Sequence, residues 1–226
     1  MNHSSLHHVL PAKEHIQALP LFQSLPAEKI HLIQTLEHCL RIEPELKSAA
    51  LLGFDSESKP TFSKGEAATG PHLIQLATQD CAYLFQVSPE ILEFLKPVFA
   101  SRQQIKAGFG LKNDAHLFRK KGLELNSAVE LSKCFKAFGL DNPVGLKNAM
   151  ALLFRVNFPK SKSVSTSNWS KKHLSPQQIA YAAADAYAPV LVFEELRRLG
   201  LLPQEILNSA RNLRGLPSQT KPASDA

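Results

Sequence analysis

Five side chains in this 226-residue sequence are of the types, and in the pattern, that hold divalent cations and orient water. Tyr181 and Asp185 lie four apart in the run SPQQIAYAAADAYAP at residues 175–189, so on a helix the phenol and the carboxylate stand one above the other on a single face. Asp55 and Glu57 close the apolar run AALLGFD and, two residues apart, share one face of a strand. Asp114 stands alone in the first turn of the helix that follows Gly108-Phe109-Gly110. Taken singly, each has an ordinary explanation: Tyr-x-x-x-Asp is usually a solvated helix face, and an acid in a first turn complements the helix dipole. Taken together they point to a metal site. Two same-face carboxylates at the tip of a buried strand carry a desolvation cost that a bound cation removes, and carboxylate oxygens suit hard ions such as Mg²⁺ or Mn²⁺.

The elements that must position these groups are readable in outline. Ser175, Pro176 and Gln178 have the spacing of a helix start, with serine as N-cap, proline at the first helical position and glutamine completing a capping box. The alanines between Tyr181 and Asp185 favour helix and keep it slim, so that a sheet can approach. Pro189 falls four residues after Asp185, where it removes the donor to the Asp185 carbonyl, so a kink is expected beside that residue. Residues 49–55 read as a buried central strand, residues 71–78 and 82–87 as an antiparallel hairpin, and residues 103–109 as a further strand running into the Asp114 helix. Upstream, residues 29–34 read as a short strand and residues 35–43 as a helix that Pro44 stops, with Leu36, Leu40 and Ile42 among its apolar positions. Ser88 caps a helix over residues 89–99, and residues 128–131 form a short strand. Residues 132–138 and 145–154 read as two helices, and residues 204–212 as a last short one. Residues 157–172 are polar, basic and serine-rich, a loop or lid that Trp169 pins to the body.

Composition sets the bounds. The length fits one α/β domain with tails, with residues 1–19 a flexible N-terminal tail, 20–202 the folded domain and 203–226 a short helix and flexible tail. No stretch approaches the roughly 20 apolar residues of a membrane span, so no membrane partner is expected. The N-terminus lacks the pattern of a secretory signal. Cys39, Cys81 and Cys134 are odd in number and widely spaced, which reads as reduced thiols in a cytoplasmic protein. Neither a Gly-x-Ser-x-Gly elbow nor a zinc-ligand motif is present, which argues against an esterase built on those devices. The formal net charge of +6 favours a polyanionic partner. Candidate nucleic-acid contacts are Lys112 and Asn113 beside Asp114, Lys160, Lys162, Lys171 and Lys172 ahead of the Tyr181 helix, and Trp169 among them.

In chain order, Gly53-Phe54-Asp55-Ser56-Glu57, then Ala107-Gly108-Phe109-Gly110-Leu111-Lys112-Asn113-Asp114, then Tyr181-Ala182-Ala183-Ala184-Asp185, the sequence resembles the DEDDy 3′–5′ exonucleases, within them the ribonuclease D and Werner exonuclease branch. The resemblance covers about residues 20–202. It implies a ribonuclease-H-like α/β fold, a mixed central sheet flanked by helices in a single domain. It also implies 3′–5′ hydrolysis of phosphodiester bonds with two Mg²⁺ or Mn²⁺ ions, acting on RNA or DNA with a free 3′ end. Carried over, Asp55 would bridge both ions, Glu57 and Asp185 would complete one site, Asp114 would hold the second, and Tyr181 would orient the attacking water. Ser56 stands where threonine is commoner, and the helical domain that follows the nuclease in ribonuclease D has no counterpart, so substrate grip falls to this domain, a homo-oligomer or a partner. The alternative is a catalytically silent nucleic-acid-binding domain that keeps the exonuclease fold.

Overall fold

The computed structural model describes residues 10–61 and 69–206. Six strands form one sheet: β1 Ile30–Ile33, β2 Leu51–Glu57, β3 Leu73–Ala77, β4 Ala82–Gln86, β5 Ile105–Gly108 and β6 Ala128–Glu130, in the spatial order β1-β4-β3-β2-β5-β6. β3 alone runs against the rest, pairing antiparallel with β2 and with β4, while β1 lies parallel to β4 and β5 lies parallel to β2 and β6. The C-terminal ends of five strands therefore share one edge of the sheet, where open α/β sheets place their sites. The sheet is mixed and helices flank it, the ribonuclease-H-like arrangement.

The helices are α1 Lys13–Gln17, α2 Leu36–Ser48, α3 Pro89–Ala100, α4 Leu111–Lys120, α5 Leu146–Phe154, α6 Lys162–Ser165 and α7 Pro176–Arg198. Alternation along the strands divides the core in two. One face of β2 to β4 gives Leu52, Phe54, Ile74, Leu76 and Phe85 to a layer completed by α2, α3 and α4, where Phe54, Phe99 and Phe118 pack with ring centroids 5.0–5.4 Å apart. The other face gives Leu51, Leu73, Ala77 and Leu84 to a layer dominated by α7, with Ala182, Ala183, Ala186, Val190 and Phe193 buried in it. Contact there is close enough to specify a glycine. A Cβ on Gly53 would lie 2.0 Å from the Ala186 carbonyl oxygen and 2.6 Å from Val190 Cγ2.

Three elements depart from what the sequence suggests. α2 does not stop at Pro44 but continues to Ser48, because Pro44 lies on the exposed side while Cys39, Ile42 and Leu46 anchor the buried stripe. Leu36 and Leu40 lie outside that stripe, 45% and 55% exposed. α7 runs as one helix from Pro176 to Arg198 with Pro189 buried inside it. Residues 132–138 are not one helix but parts of two short 3₁₀ turns, Leu131–Lys133 and Lys136–Phe138. Within the expected N-terminal tail, α1 forms and buries Ile16. Residues 204–206 are helical, and the remainder of the expected last helix lies outside the described residues, as do residues 1–9 and 207–226 of the two tails.

One buried cation is structural. Lys106 in β5 is fully buried, and its ammonium donates to the carbonyl oxygens of Ser101 at 2.6 Å and Val98 at 3.4 Å, closing the C-terminal end of α3. Burial lowers its pKa to about 8.

Candidate active site

β2 is buried from Leu51 to Phe54 and emerges at Asp55, so the strand delivers its two acids at the sheet edge. α7 delivers the third from above. Its start is fixed by the capping box, with Gln178 N–H donating to Ser175 Oγ at 3.2 Å and Ser175 N–H donating to Gln178 Oε1 at 3.0 Å. Ten residues on, Asp185 is 4% exposed and faces β2. Asp55, Glu57 and Asp185 each offer a carboxylate oxygen, and these oxygens lie within 4.8 Å of one another.

Asp114 joins from α4. Ser56 Oγ donates a hydrogen bond to Asp114 Oδ1, and Ser56 N–H donates to Asp55 Oδ1 at 2.9 Å, so the serine between the two strand acids ties them to the helix acid. α4 begins at Gly110, whose φ of 77° is left-handed and suits glycine. With no side chain at that cap, Glu130 at the end of β6 serves in its place. Its carboxylate accepts from Gly110 N–H at 3.1 Å, Leu111 N–H at 2.8 Å and Ser132 N–H at 3.2 Å. An anion at this helix start is favoured by the dipole and fixes the turn that carries Asp114. Sequence reasoning missed Glu130, because an acid ending a three-residue strand carries no local sign of a helix twenty residues earlier.

Burial raises the pKa of all four acids, and at Asp55 and Glu57 the charges of the neighbouring acids raise it further. For Asp55 the largest cause is burial, followed by the charges of Asp185, Asp114 and Glu57, and together they push its carboxyl well up. Burial, then Asp185, pushes Glu57 to about 8, against a smaller opposing pull from Lys160. Asp185 is raised to about 6 by burial, opposed by Lys160 and by a hydrogen bond from Tyr181. Burial also raises Asp114, opposed by its bond from Ser56. Burial and like charge disfavour the ionised form of these acids, and a bound cation would favour it. The donor set is all oxygen, and three of the acids bring their oxygens within 4.8 Å of one another. A hard divalent cation fits both facts.

Tyr181 stands one turn before Asp185, half-buried, with its phenol raised by burial and by Asp185 so that it keeps its proton at neutral pH. Trp169 backs it, with ring centroids 6.1 Å apart, and Trp169 Nε1–H donates to the Ser165 carbonyl at 3.2 Å. Trp169 is 1% exposed, so it is a packing group behind Tyr181 and offers no open face to a base. Gln178 Nε2 fastens the same loop through Ser167 Oγ at 2.9 Å and the Asn168 carbonyl at 3.3 Å.

Among the basic candidates, Lys160 alone has a charge that acts on Glu57 and Asp185, and it is brought to the acids. Lys171 and Lys172 are exposed, with their carbonyls held by Gln86 Nε2 at 2.9 Å and Gln34 Nε2 at 3.3 Å. They share the functional edge but sit over β4 and β1, two and three strands from β2. Lys112 and Lys162 are exposed near the starts of α4 and α6, and the side chain of Asn113 lies outside the described residues. The thiols of Cys39, Cys81 and Cys134 are free. Among the described residues no helix is long and apolar enough to cross a membrane.

A mixed sheet that gathers three carboxylates at its edge, with a fourth tied to them by a serine, defines a ribonuclease-H-like domain with an acidic metal-type site. A sequence profile described as 3′–5′ exonuclease matches residues 30–200. The chain belongs to that family, in its DEDDy branch. It is 30% identical over 191 residues to the bifunctional 3′–5′ exonuclease/ATP-dependent helicase WRN of Mus musculus, the match covering 80% of this chain and 13% of that protein. It is 28% identical over 216 residues to the exonuclease mut-7 homolog of Aedes aegypti, covering 83% of this chain and 30% of that one. The match therefore spans less than a third of either relative. Among solved structures, the Nibbler EXO domain of Aedes aegypti superposes with a TM-score of 0.68 at 23% identity, over 84% of this chain and all of that one. Ribonuclease D of Trypanosoma brucei in complex with RNA U12 superposes at 0.65 with 17% identity, over 94% and 77%.

Proposed function

We propose that the protein is an active 3′–5′ exonuclease that removes nucleotides one at a time from a free 3′ end of nucleic acid, releasing nucleoside 5′-monophosphates, with residues 20–202 as the working unit. The observation that carries this is the convergence of the Asp55, Glu57 and Asp185 oxygens within 4.8 Å, with Asp114 linked through Ser56. In this reading Asp55, Glu57, Asp185 and Asp114 would hold divalent ions, Mg²⁺ or Mn²⁺, with Asp55 contributing to both of two sites, Glu57 and Asp185 to one and Asp114 to the other. When bound, the ions supply Lewis acidity at the scissile phosphate and make water nucleophilic at neutral pH.

The chain's own residues do the positioning. Tyr181, which keeps its proton and donates it to Asp185 in a hydrogen bond, has hydroxyl lone pairs with which to align the attacking water, and Trp169 fixes the ring from behind. Lys160, whose charge already acts on the acids, is placed to neutralise a phosphate entering beside them. Lys112, Lys162, Lys171 and Lys172 extend a basic approach whose salt dependence is testable. The RNA complex of the related ribonuclease D fold favours RNA among the substrates to try first. Product analysis tests the reading. An RNA and a DNA oligonucleotide, each labelled at the 3′-terminal nucleotide, should release the label as a 5′-monophosphate in Mn²⁺, whereas release of 3′-monophosphate or of internal fragments would refute it.

A further inference from the structure

Gln75 is the one polar side chain in β3, between Leu73-Ile74 and Leu76-Ala77. It is 0% exposed, and neither its Oε1 nor its Nε2 has a hydrogen-bond partner in the protein. Leaving a buried carboxamide without protein partners destabilises the fold, and an apolar side chain of similar size would fill the same volume. The strand register says which groups it faces. Gln75 pairs with Asp55 across the β2–β3 ladder and with Leu84 across β3–β4. Cross-strand partners point to the same face with Cβ atoms about 5 Å apart. That face is the one α7 covers, since Leu73, Ala77 and Leu84 belong to the α7 layer while Ile74 and Leu76 belong to the opposite one. On α7 itself, Asp185 Oδ1 is the other buried polar atom of this seam without a partner, and Asp185 reaches the Asp55 carboxylate. Two unpartnered polar groups thus flank Asp55, one from the neighbouring strand and one from the helix above.

We infer that Gln75 is a positioning residue of the acidic site, its Nε2 donating through one ordered water to Asp185 Oδ1 so that the Asp185 carboxylate is held in the orientation that ligates a divalent cation. A donor in that place leaves the other carboxylate oxygen for the ion and limits rotation of the group, which is how outer-shell partners tune metal affinity. The inference rests on the metal-site reading above and deepens it. It also accounts for the polarity of β3, because the amide costs stability and repays it in ligand geometry.

The test uses Mn²⁺ binding to the metal-stripped full chain by calorimetry, beside melting curves in EDTA, for the parent, Gln75→Met and Gln75→Asn. Met fills the volume without an amide, and Asn keeps the amide but leaves a gap. The expected order of Mn²⁺ affinity is parent, then Gln75→Asn, then Gln75→Met, with Met weaker on the order of tenfold or more. The expected order of melting in EDTA differs, with Gln75→Met at or above the parent and Gln75→Asn lowest. On an oligonucleotide, Gln75→Met should lower kcat with KM unchanged at fixed sub-saturating Mn²⁺. Parent-like Mn²⁺ affinity in Gln75→Met, or affinities that follow the melting order, would overturn the inference while leaving the metal site intact. Should Gln75→Met not fold, Gln75→Asn carries the test, because a structural role alone predicts an undiminished affinity in the fraction that is folded. A parent that binds no Mn²⁺ would instead remove the metal site itself.

Discussion

Glu57→Gln should make the protein without metal more stable at pH 7, and Mn²⁺ should close most of that gap by stabilising the parent more than the variant. The Glu57 carboxyl titrates ordinarily at 4.5 and is raised to about 8 in the fold, first by burial and then by Asp185. At pH 7 the unfolded chain has released this proton while the folded one largely retains it. At about 1.36 kcal/mol for each tenfold preference, that mismatch costs the fold about 3 kcal/mol. The sign follows from linkage: below 4.5 both states are protonated and the cost is absent, it grows as pH rises, and it saturates above about 8. Glutamine keeps the shape and has no proton to lose. In EDTA at pH 7 the variant should therefore melt about 6–12 °C above the parent, on the usual 2–4 °C per kcal/mol for a chain of this size. The difference should fade by pH 4.5. With Mn²⁺ at a hundred times its Kd the parent should gain about 2.7 kcal/mol, and the variant, lacking a ligand, much less. Thermal melts of the two proteins at pH 4.5 and 7, with EDTA and with Mn²⁺, check this. A variant less stable than the parent at pH 7 in EDTA would refute the reasoning, because it would mean that Glu57 is satisfied in the fold as a carboxylate.

Tyr181→Phe should lower kcat on the order of 10²-fold with little change in substrate affinity, since a phenol that aligns water acts in the transition state; single-turnover rates beside binding isotherms separate the two. Lys160→Ala should weaken oligonucleotide binding and reduce the slope of log K against log salt by about 1, the signature of one lost phosphate contact. Lys106→Met should remove a pH dependence of stability whose direction is set by a lysine held at about 8. The charged ammonium costs most below pH 8 and the cost is relieved towards 10.5, so the variant's standing relative to the parent should drop by about 3 kcal/mol between pH 7 and 10.5 in urea unfolding.

What the sequence disclosed was local. The Tyr181–Asp185 face and the Ser175–Gln178 cap are set by helical spacing within a dozen residues, and the structure contains both. The Asp55–Glu57 pair followed from a period of two at the tip of an apolar run, and β2 places both acids where the strand emerges. The strands and the hairpin were similarly plain, because alternation and turn residues sit inside each segment. What stayed hidden depends on partners distant in sequence. Glu130 caps a helix that starts nineteen or twenty residues before it, and Gln75 gains meaning only from the register that sets it against Asp55. Pro44 looks like a helix stop by local rules, yet the buried face of α2 carries the helix through to Ser48. Trp169 was legible as a loop anchor, and its burial behind Tyr181 leaves that role and removes base stacking.

The claim that the four carboxylates make a hydrolytic metal site is tested most directly by a gel of 5′-labelled oligonucleotide incubated with the parent protein and with Asp55→Asn, in Mn²⁺ and in excess EDTA. The parent in Mn²⁺ should yield a ladder shortening one nucleotide at a time from the 3′ end, and the other three lanes should retain full-length substrate. Undiminished shortening in EDTA or in Asp55→Asn, or none by the parent in Mn²⁺, would contradict it.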